Sequence, residues 1–217
     1  MQEYIAKTLQ GLEGVLADEL KALGAKDIEI QRRAVSFKGD KKCLYKANFW
    51  LRTALRILKP VAVFQVKSPD DVYSAIKKIK LEEFITADKT FSIDTTVYSE
   101  QFNNSRYVTY KAKDAIVDYF TEKYGKRPSV SVANPDIYFN LHISHTTCTL
   151  SLDSSGAPLF KRGYRVAQTE APINEVLAAG LLLLSGWRGQ SDFMDPMCGS
   201  GTIAIEAAMI AMNMAPG

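Results

Sequence analysis

The stretch Ser191-Asp192-Phe193-Met194-Asp195-Pro196-Met197-Cys198-Gly199-Ser200-Gly201-Thr202 decides how this chain is read. Residues 192–194 predict a short strand, residues 195–202 a glycine-rich loop, and the Ile- and Ala-rich run to about Met212 a helix. Gly199 and Gly201 leave out side chains, so a bulky ligand can lie directly against backbone at the carboxyl end of a strand. Three glycine loops compete for this pattern. A P-loop needs a Lys that is absent, and a dinucleotide fingerprint needs a third glycine where Ile or Ala stands. What remains is an acid at the strand end, a Gly-x-Gly turn and no phosphate-binding cation, which suits a zwitterionic, sulfonium-bearing ligand. The plain alternative is a tight strand-to-helix turn that holds nothing.

Upstream, Ala171-Pro172 is expected to open an apolar helix through Val176, Leu177 and residues 181–184, stopped by Ser185-Gly186. A linker over residues 163–170 precedes it. At the front, residues 4–8 read as a strand. Leu12, Val15, Leu16, Leu20 and Leu23 recur at helical spacing, with Gly24 as the stop. Ile28 and Ile30, then residues 34–37, give two more strands, and Asp40 caps a helix through Cys43, Leu44, Tyr45 and Phe49. That order is the order of a ferredoxin-like fold, a small sheet with helices on one face.

A second unit is expected after Pro60. Residues 61–66 form a strand, and Ser68-Pro69-Asp70-Asp71 is a helix start with a hydroxyl cap, a proline and two acids. Residues 91–97 form a strand and residues 111–124 a helix ended by Gly125. Val130, Val132, residues 137–143 and residues 147–152 give further strands, the last two paired antiparallel. The fold class is therefore α/β with an α+β front, divided at residues 1–60, 61–165 and 166–217.

Charge is uneven along the 217 residues. Residues 1–60 hold 12 Lys/Arg against 7 Asp/Glu, residues 61–165 hold 14 against 12, and residues 166–217 hold 1 against 5. A basic front and an acidic tail point to a polyanion partner at the front, although a solvated surface gives the same count. There is no uninterrupted apolar run of about 18 residues, so no transmembrane helix is expected. The start, Met1-Gln2-Glu3-Tyr4, lacks the plan of a secretion signal. Three scattered cysteines, Cys43, Cys148 and Cys198, form neither a disulfide framework nor a metal site, and the expected compartment is the cytoplasm.

The loop phrase resembles motif one of the class I methyltransferases, in the Asp-Pro-x-Cys-Gly-Ser-Gly-Thr form of the THUMP-containing RNA methyltransferases. The resemblance covers nearly the whole chain. Gly11-Leu12-Glu13 through Glu19-Leu20 is similar to that family's ferredoxin-like region. Lys113-Asp114-Ala115-Ile116-Val117-Asp118, Lys126-Arg127-Pro128-Ser129 and Leu150-Ser151-Leu152-Asp153 are similar to its THUMP region. Lys161-Arg162-Gly163-Tyr164-Arg165, Ala171-Pro172-Ile173-Asn174-Glu175 and Leu184-Ser185-Gly186-Trp187 are similar to its bridge into a Rossmann-like methyltransferase domain. Within the family the resemblance is strongest to bacterial 23S rRNA methyltransferases that modify the exocyclic amine of a guanine. A tRNA guanine or DNA adenine methyltransferase, and a stand-alone RNA-binding module, are the alternatives.

The resemblance implies S-adenosyl-L-methionine as cofactor. It places Asp195, Pro196, Gly199, Gly201 and Thr202 at the cofactor, with Pro172, Asn174 and Glu175 on the helix beside it. The implied partner is structured RNA, 23S rRNA. The family's Asn/Asp-Pro-Pro-aromatic loop for the target amine is missing, and so is an acid on the second strand. The chain ends 52 residues past position 165, whereas such a domain needs on the order of 150–200. The chain is thus expected to be truncated and inactive by itself, with its catalytic residues beyond Gly217. The apolar runs 176–184 and 203–212 are expected to leave apolar surface that a partner chain covers, a second copy of this chain included, or to be poorly ordered if left alone.

Lys126-Arg127 and Lys161-Arg162 with Arg165 are the expected phosphate contacts, because Tyr124, Phe160 and Tyr164 are interleaved with them. Asn134-Pro135-Asp136 reads as a turn. Cys198 is small loop filler, since an exocyclic amine brings its own lone pair. His142 and His145 are expected on opposite faces and share no metal. Trp50 and Trp187 are expected in the core.

Overall fold

Strand β1 (Gln2–Lys7) turns Tyr4 and Ala6 inward and leaves Glu3 in solvent, the alternation of a half-buried strand. In this computed structural model, which describes residues 1–102, 104–166 and 171–217, β1 belongs to a unit made of Met1–Leu58 and Ala157–Gly217. Lys59–Gly156 form a second unit.

In the first unit, α1 (Glu13–Ala22) buries Leu16 and Leu20 against the sheet and stops at Gly24, whose φ of +84° suits a residue without a side chain. Strands β2 (Lys26–Gln31) and β3 (Ala34–Gly39) follow. Helix α2 (Lys41–Trp50) starts where the Asp40 carboxylate accepts from the Cys43 amide at 2.7 Å. Strand β4 (Arg56–Gln65) comes next, and the order β2-β3-β1-β4 is antiparallel at each pairing, as a ferredoxin-like unit requires. The core packs Tyr4, Leu16, Leu20, Phe37, Ala47 and Ile57, with the Tyr4 and Phe37 rings 5.5 Å apart.

β4 begins at Arg56, earlier than the expected 61, and runs through Pro60. Its ladder with β1 ends at Leu58, so the amide that proline lacks is not needed there. Trp50 and Trp187 are half-buried rather than core. Trp50 sits edge-on to Phe49 at the end of α2, and Trp187 packs on Phe193 at 5.2 Å while donating to the Ser191 carbonyl.

The later part of the first unit holds α5 (Glu175–Leu184) and α6 (Thr202–Ala211). Residues 192–194 do not form a strand. A strand is held by its ladder, and among the described residues nothing pairs with this segment, so Met194 stays 86% exposed. Helix α5 opens at Glu175 and not at Pro172. Ala171 has a φ of +50°, outside helical space, and the Asn174 side chain caps the amides of Val176 and Leu177. Nor is α5 left bare. Val176, Ala178, Ala179 and Leu182 are buried, α6 packs along it, and Leu12 lies against Gly180. Leu181, Leu184 and Ile205 remain exposed. Residues 167–170 of the expected linker lie outside the described residues.

In the second unit the later residues of β4 lead the order β4-β8-β7-β5-β6. Strand β5 (Thr90–Tyr98) pairs parallel with β6 (Ser129–Val130) and β7 (Ile137–Ser144), and β8 (Thr147–Asp153) returns antiparallel to β7. Val132 falls in a bend beyond β6. Helix α3 (Pro69–Ile76) carries the capping box of Ser68 and Asp71, and packs on α4 (Ser105–Tyr124). α4 is longer than the expected 111–124, because Asn104 accepts from the Tyr107 amide at 3.1 Å and starts it there. Gly125, at φ +66°, ends it. Val72, Ile76, Phe91, Ile116, Phe120 and Phe139 fill the core. No helix of the described residues is long and apolar enough to cross a membrane.

Candidate functional site

The glycine loop enters α6 through two left-handed residues, Gly199 at φ +53° and Gly201 at φ +74°. A β-carbon at Gly199 would meet nothing within 4 Å, so it is the backbone angle that calls for glycine there, and the space above the loop is open. Pro196 sits in the turn that follows Asp195. One Asp195 oxygen accepts from the Met197 amide at 3.1 Å, and the other, Oδ2, is buried with no hydrogen-bond partner among the described residues. A buried carboxylate oxygen with no donor costs free energy unless another group completes it. Gly201 caps α6 with no side-chain bond to the first turn.

Behind the loop, Arg165 reaches three groups. Its Nε lies 2.5 Å from Glu175 Oε1, and its Nη2 donates to the Ile173 carbonyl at 2.7 Å and to Thr202 Oγ1 at 3.2 Å. Thr202 Oγ1 lies 3.1 Å from Ser200 Oγ in the loop. Glu175 and Thr202 are 6% and 1% exposed. The hydrogen bond to Glu175 pushes the Arg165 guanidinium above its ordinary range.

A second ionic cluster holds α6 to the ferredoxin-like region. Arg162 Nε lies 3.1 Å from Glu206 Oε1, the side chains being 1% and 0% exposed, and Tyr164 donates to the same oxygen at 3.0 Å. Arg162 Nη2 donates to the Arg52 carbonyl at 2.6 Å, and Arg52 Nη2 to the carbonyls of Met214 and Met209 at 2.6 and 3.3 Å. Glu19 accepts from the amides of Arg52 and Thr53 and from the Thr53 hydroxyl. Burial pushes the carboxyls of Glu19 and Glu206 up, against the pull of these donors and arginines. Burial and the neighbouring Glu206 push the Tyr164 hydroxyl up.

The expected residues therefore sort into groups. Lys161, Arg162, Arg165, Pro172, Asn174 and Glu175 line one cleft of about 360 Å³, and Thr202 is tied to it by Arg165. Asp195, Pro196, Gly199 and Gly201 are in the loop and do not line that cleft. Arg162 is not a free phosphate contact, because its guanidinium is turned inward onto Glu206. Arg165 is likewise committed to Glu175, Ile173 and Thr202. Lys161 is exposed, and in the second unit so are Lys126 and Arg127, just past Gly125. Cys198 is exposed in the loop. His142 is on β7 with its ring 5.9 Å from Tyr98, and His145 is in the turn after that strand. Among the described residues no group of three His, Cys, Asp or Glu is placed to hold a metal ion.

Sequence reasoning missed Arg52 and Glu206, and it did not place Glu19 or Tyr164 in a buried ionic cluster. A signal was present for Glu206, the only charge between Asp195 and Gly217: a lone carboxylate in an apolar helix must find a partner.

Three families match this chain in succession. The RlmL ferredoxin-like domain matches residues 3–58, the THUMP domain residues 66–153, and the RMKL-like methyltransferase domain residues 162–217. In order these are a ferredoxin-like domain, a THUMP domain and a methyltransferase domain, each matched over less than half of the chain. Over 99% of its length the chain is 43% identical to a protein of Syntrophotalea carbinolica named ribosomal RNA large subunit methyltransferase K/L, of which it covers 31%. Among solved structures it is similar to a Listeria monocytogenes protein described as a predicted N6-adenine-specific DNA methylase, with a TM-score of 0.86 and 35% identity. It is also similar to SMU.472, named as a methyltransferase and solved in complex with SAH, with a TM-score of 0.84 and 32% identity. Both similarities cover all of this chain and 57% of the other, so the chain spans little more than half of those proteins. Lys126 and Arg127 thus belong to the THUMP domain, and the Arg162, Arg165 and Asp195 clusters to the methyltransferase segment.

Proposed function

We propose that this chain is the RNA-gripping front and cofactor loop of an S-adenosyl-L-methionine-dependent methyltransferase that modifies the exocyclic amine of a guanine in 23S rRNA. The observation that carries this is the buried, unpartnered Asp195 Oδ2 beside Gly199 and Gly201, in a chain that also holds a THUMP domain. The residues fit the cofactor. A carboxylate with one oxygen still lacking a donor suits the ammonium of its zwitterionic amino-acid end, and glycines let that end lie on backbone. When bound, S-adenosylmethionine supplies a methyl group activated by a sulfonium.

The chain's own part is binding and orientation. Asp195 accepts from the ligand, and Gly199 and Gly201 keep the approach open. Pro196 and Thr202 fix the two ends of the loop, while Pro172, Asn174 and Glu175 start the helix alongside. Lys126, Arg127 and Lys161 hold RNA phosphates, a sequence-independent grip that leaves the choice of base to the pocket. A guanine amine carries its own lone pair, so acceleration would rest on holding the base, splayed from its stack, where the bound cofactor would supply its methyl group. Cys198 takes no part as a nucleophile. A ribosomal substrate places the work in the cytoplasm.

The test is mass-spectrometric mapping of 23S rRNA from cells with and without the gene. Loss of one N2-methylguanine on deletion, and its return with the gene, is the expected result. Loss of N6-methyladenine from DNA instead would support the reading suggested by the Listeria neighbour's description. No change in 23S rRNA, tRNA or DNA would support a binding module without catalysis.

A further inference from the structure

We propose that Arg165 is a positioning residue that sets the glycine loop against the start of α5, and that it makes no contact with RNA. The inference rests on the cofactor reading of the loop, and its geometry is independent of that reading. The arginine side chain joins the openings of two helices. Glu175 and the Ile173 carbonyl lie at the start of α5, and Thr202 is the first residue of α6. Through Thr202 the connection continues to Ser200, which stands between the two left-handed glycines.

Only a planar fork can satisfy this arrangement, with Nε on a carboxylate and one Nη2 on both a carbonyl and a hydroxyl. The Thr202 hydroxyl is buried, so without Arg165 it loses a charged donor that water does not readily replace. The Gly201 cap supplies no side-chain bond to the first turn of α6. Arg165 thus anchors, from behind, a turn whose own bonds, from the Met197 amide to Asp195 and from the Gly201 amide to the Cys198 carbonyl, are local to it. A ligand-binding turn must be held to within a fraction of an ångström to act, and the residues that hold it need not touch the ligand.

The test compares the 217-residue chain with its Arg165→Lys and Arg165→Gln variants. Arg165→Lys keeps a charge opposite Glu175, which guards against loss of the fold. Amide hydrogen exchange is followed by NMR, together with RNA affinity and SAH binding. We expect exchange at Gly201, Ile205 and Glu206, the hydrogen-bonded amides at this helix start, to rise roughly ten- to hundredfold in both variants. Exchange in β1 and β3 should stay unchanged, and RNA affinity should stay within about twofold of the parent, as for a side chain that makes no phosphate contact. Exchange that does not rise overturns the proposal, and if RNA affinity falls at the same time Arg165 is a phosphate contact after all. SAH that fails to bind the parent chain counts against the cofactor reading alone, because the exchange result still decides what Arg165 holds.

Discussion

Arg162 Nε and Glu206 Oε1 stand 3.1 Å apart with both side chains out of solvent, and this pair joins the segment before α5 to the middle of α6. Removing one member of a buried pair leaves the other charged and unsolvated, which costs about 3–5 kcal/mol. Glu206→Ala is therefore expected to lower the unfolding free energy of the first unit by that amount in urea titration. Glu206→Gln, which keeps an acceptor for Tyr164, should lose less. Equal losses for the two would show that the charge is not what matters.

Leu12 and Gly180 make a second such contact. A β-carbon on Gly180 would press into the Leu12 methyl groups, and Leu12 is itself buried. Gly180→Ala should cost about 1–3 kcal/mol by overpacking. The cost should largely vanish in a Leu12→Ala background, which opens the space. An unchanged cost in the double variant would place the strain elsewhere.

How much of this was legible in the sequence depends on where each partner lies. Asp40, Ser68 and Gly125 announced their helix ends correctly, because a cap is a bond within a few residues. The same logic should have found Asn104 at the start of α4. The glycine loop was legible for the same reason. Residues 192–194 misled because a strand needs a ladder, and their sequence does not say whether one is within reach. Arg162 and Arg165 misled in the opposite way. Beside aromatic residues they look like phosphate contacts, but their carboxylate partners are 44 and 10 residues further on.

Asp136 gives a pH prediction. It accepts from the Thr90 amide and hydroxyl and from Lys89, and these donors hold its carboxyl at about 2. The folded pKa lies below the ordinary value of 3.8, so the contribution is present above about 4 and is lost as pH falls through about 2. Asp136→Asn should flatten the dependence of unfolding free energy on pH across that window. An identical acid limb in the variant would contradict the assignment.

Lys126 and Arg127 are exposed at the end of α4, so charge reversal there should leave stability unchanged. Replacing both with Glu should weaken RNA binding and lower the salt slope of log affinity by roughly 0.7–0.9 for each phosphate no longer neutralised. RNA affinity equal to that of the parent at low salt would return the pair to ordinary solvated surface.

The claim at the centre of this account is that the turn at Asp195, Gly199 and Gly201 receives the cofactor. Backbone NMR of the labelled 217-residue chain during titration with SAH to millimolar concentration tests it most directly, because shifts report weak binding residue by residue. The expected result is saturable shifts confined to residues 195–205 and the start of α5, abolished in Asp195→Ala while the rest of the spectrum is kept. No shift up to the highest concentration, or the same shifts in the Asp195→Ala chain, would contradict it.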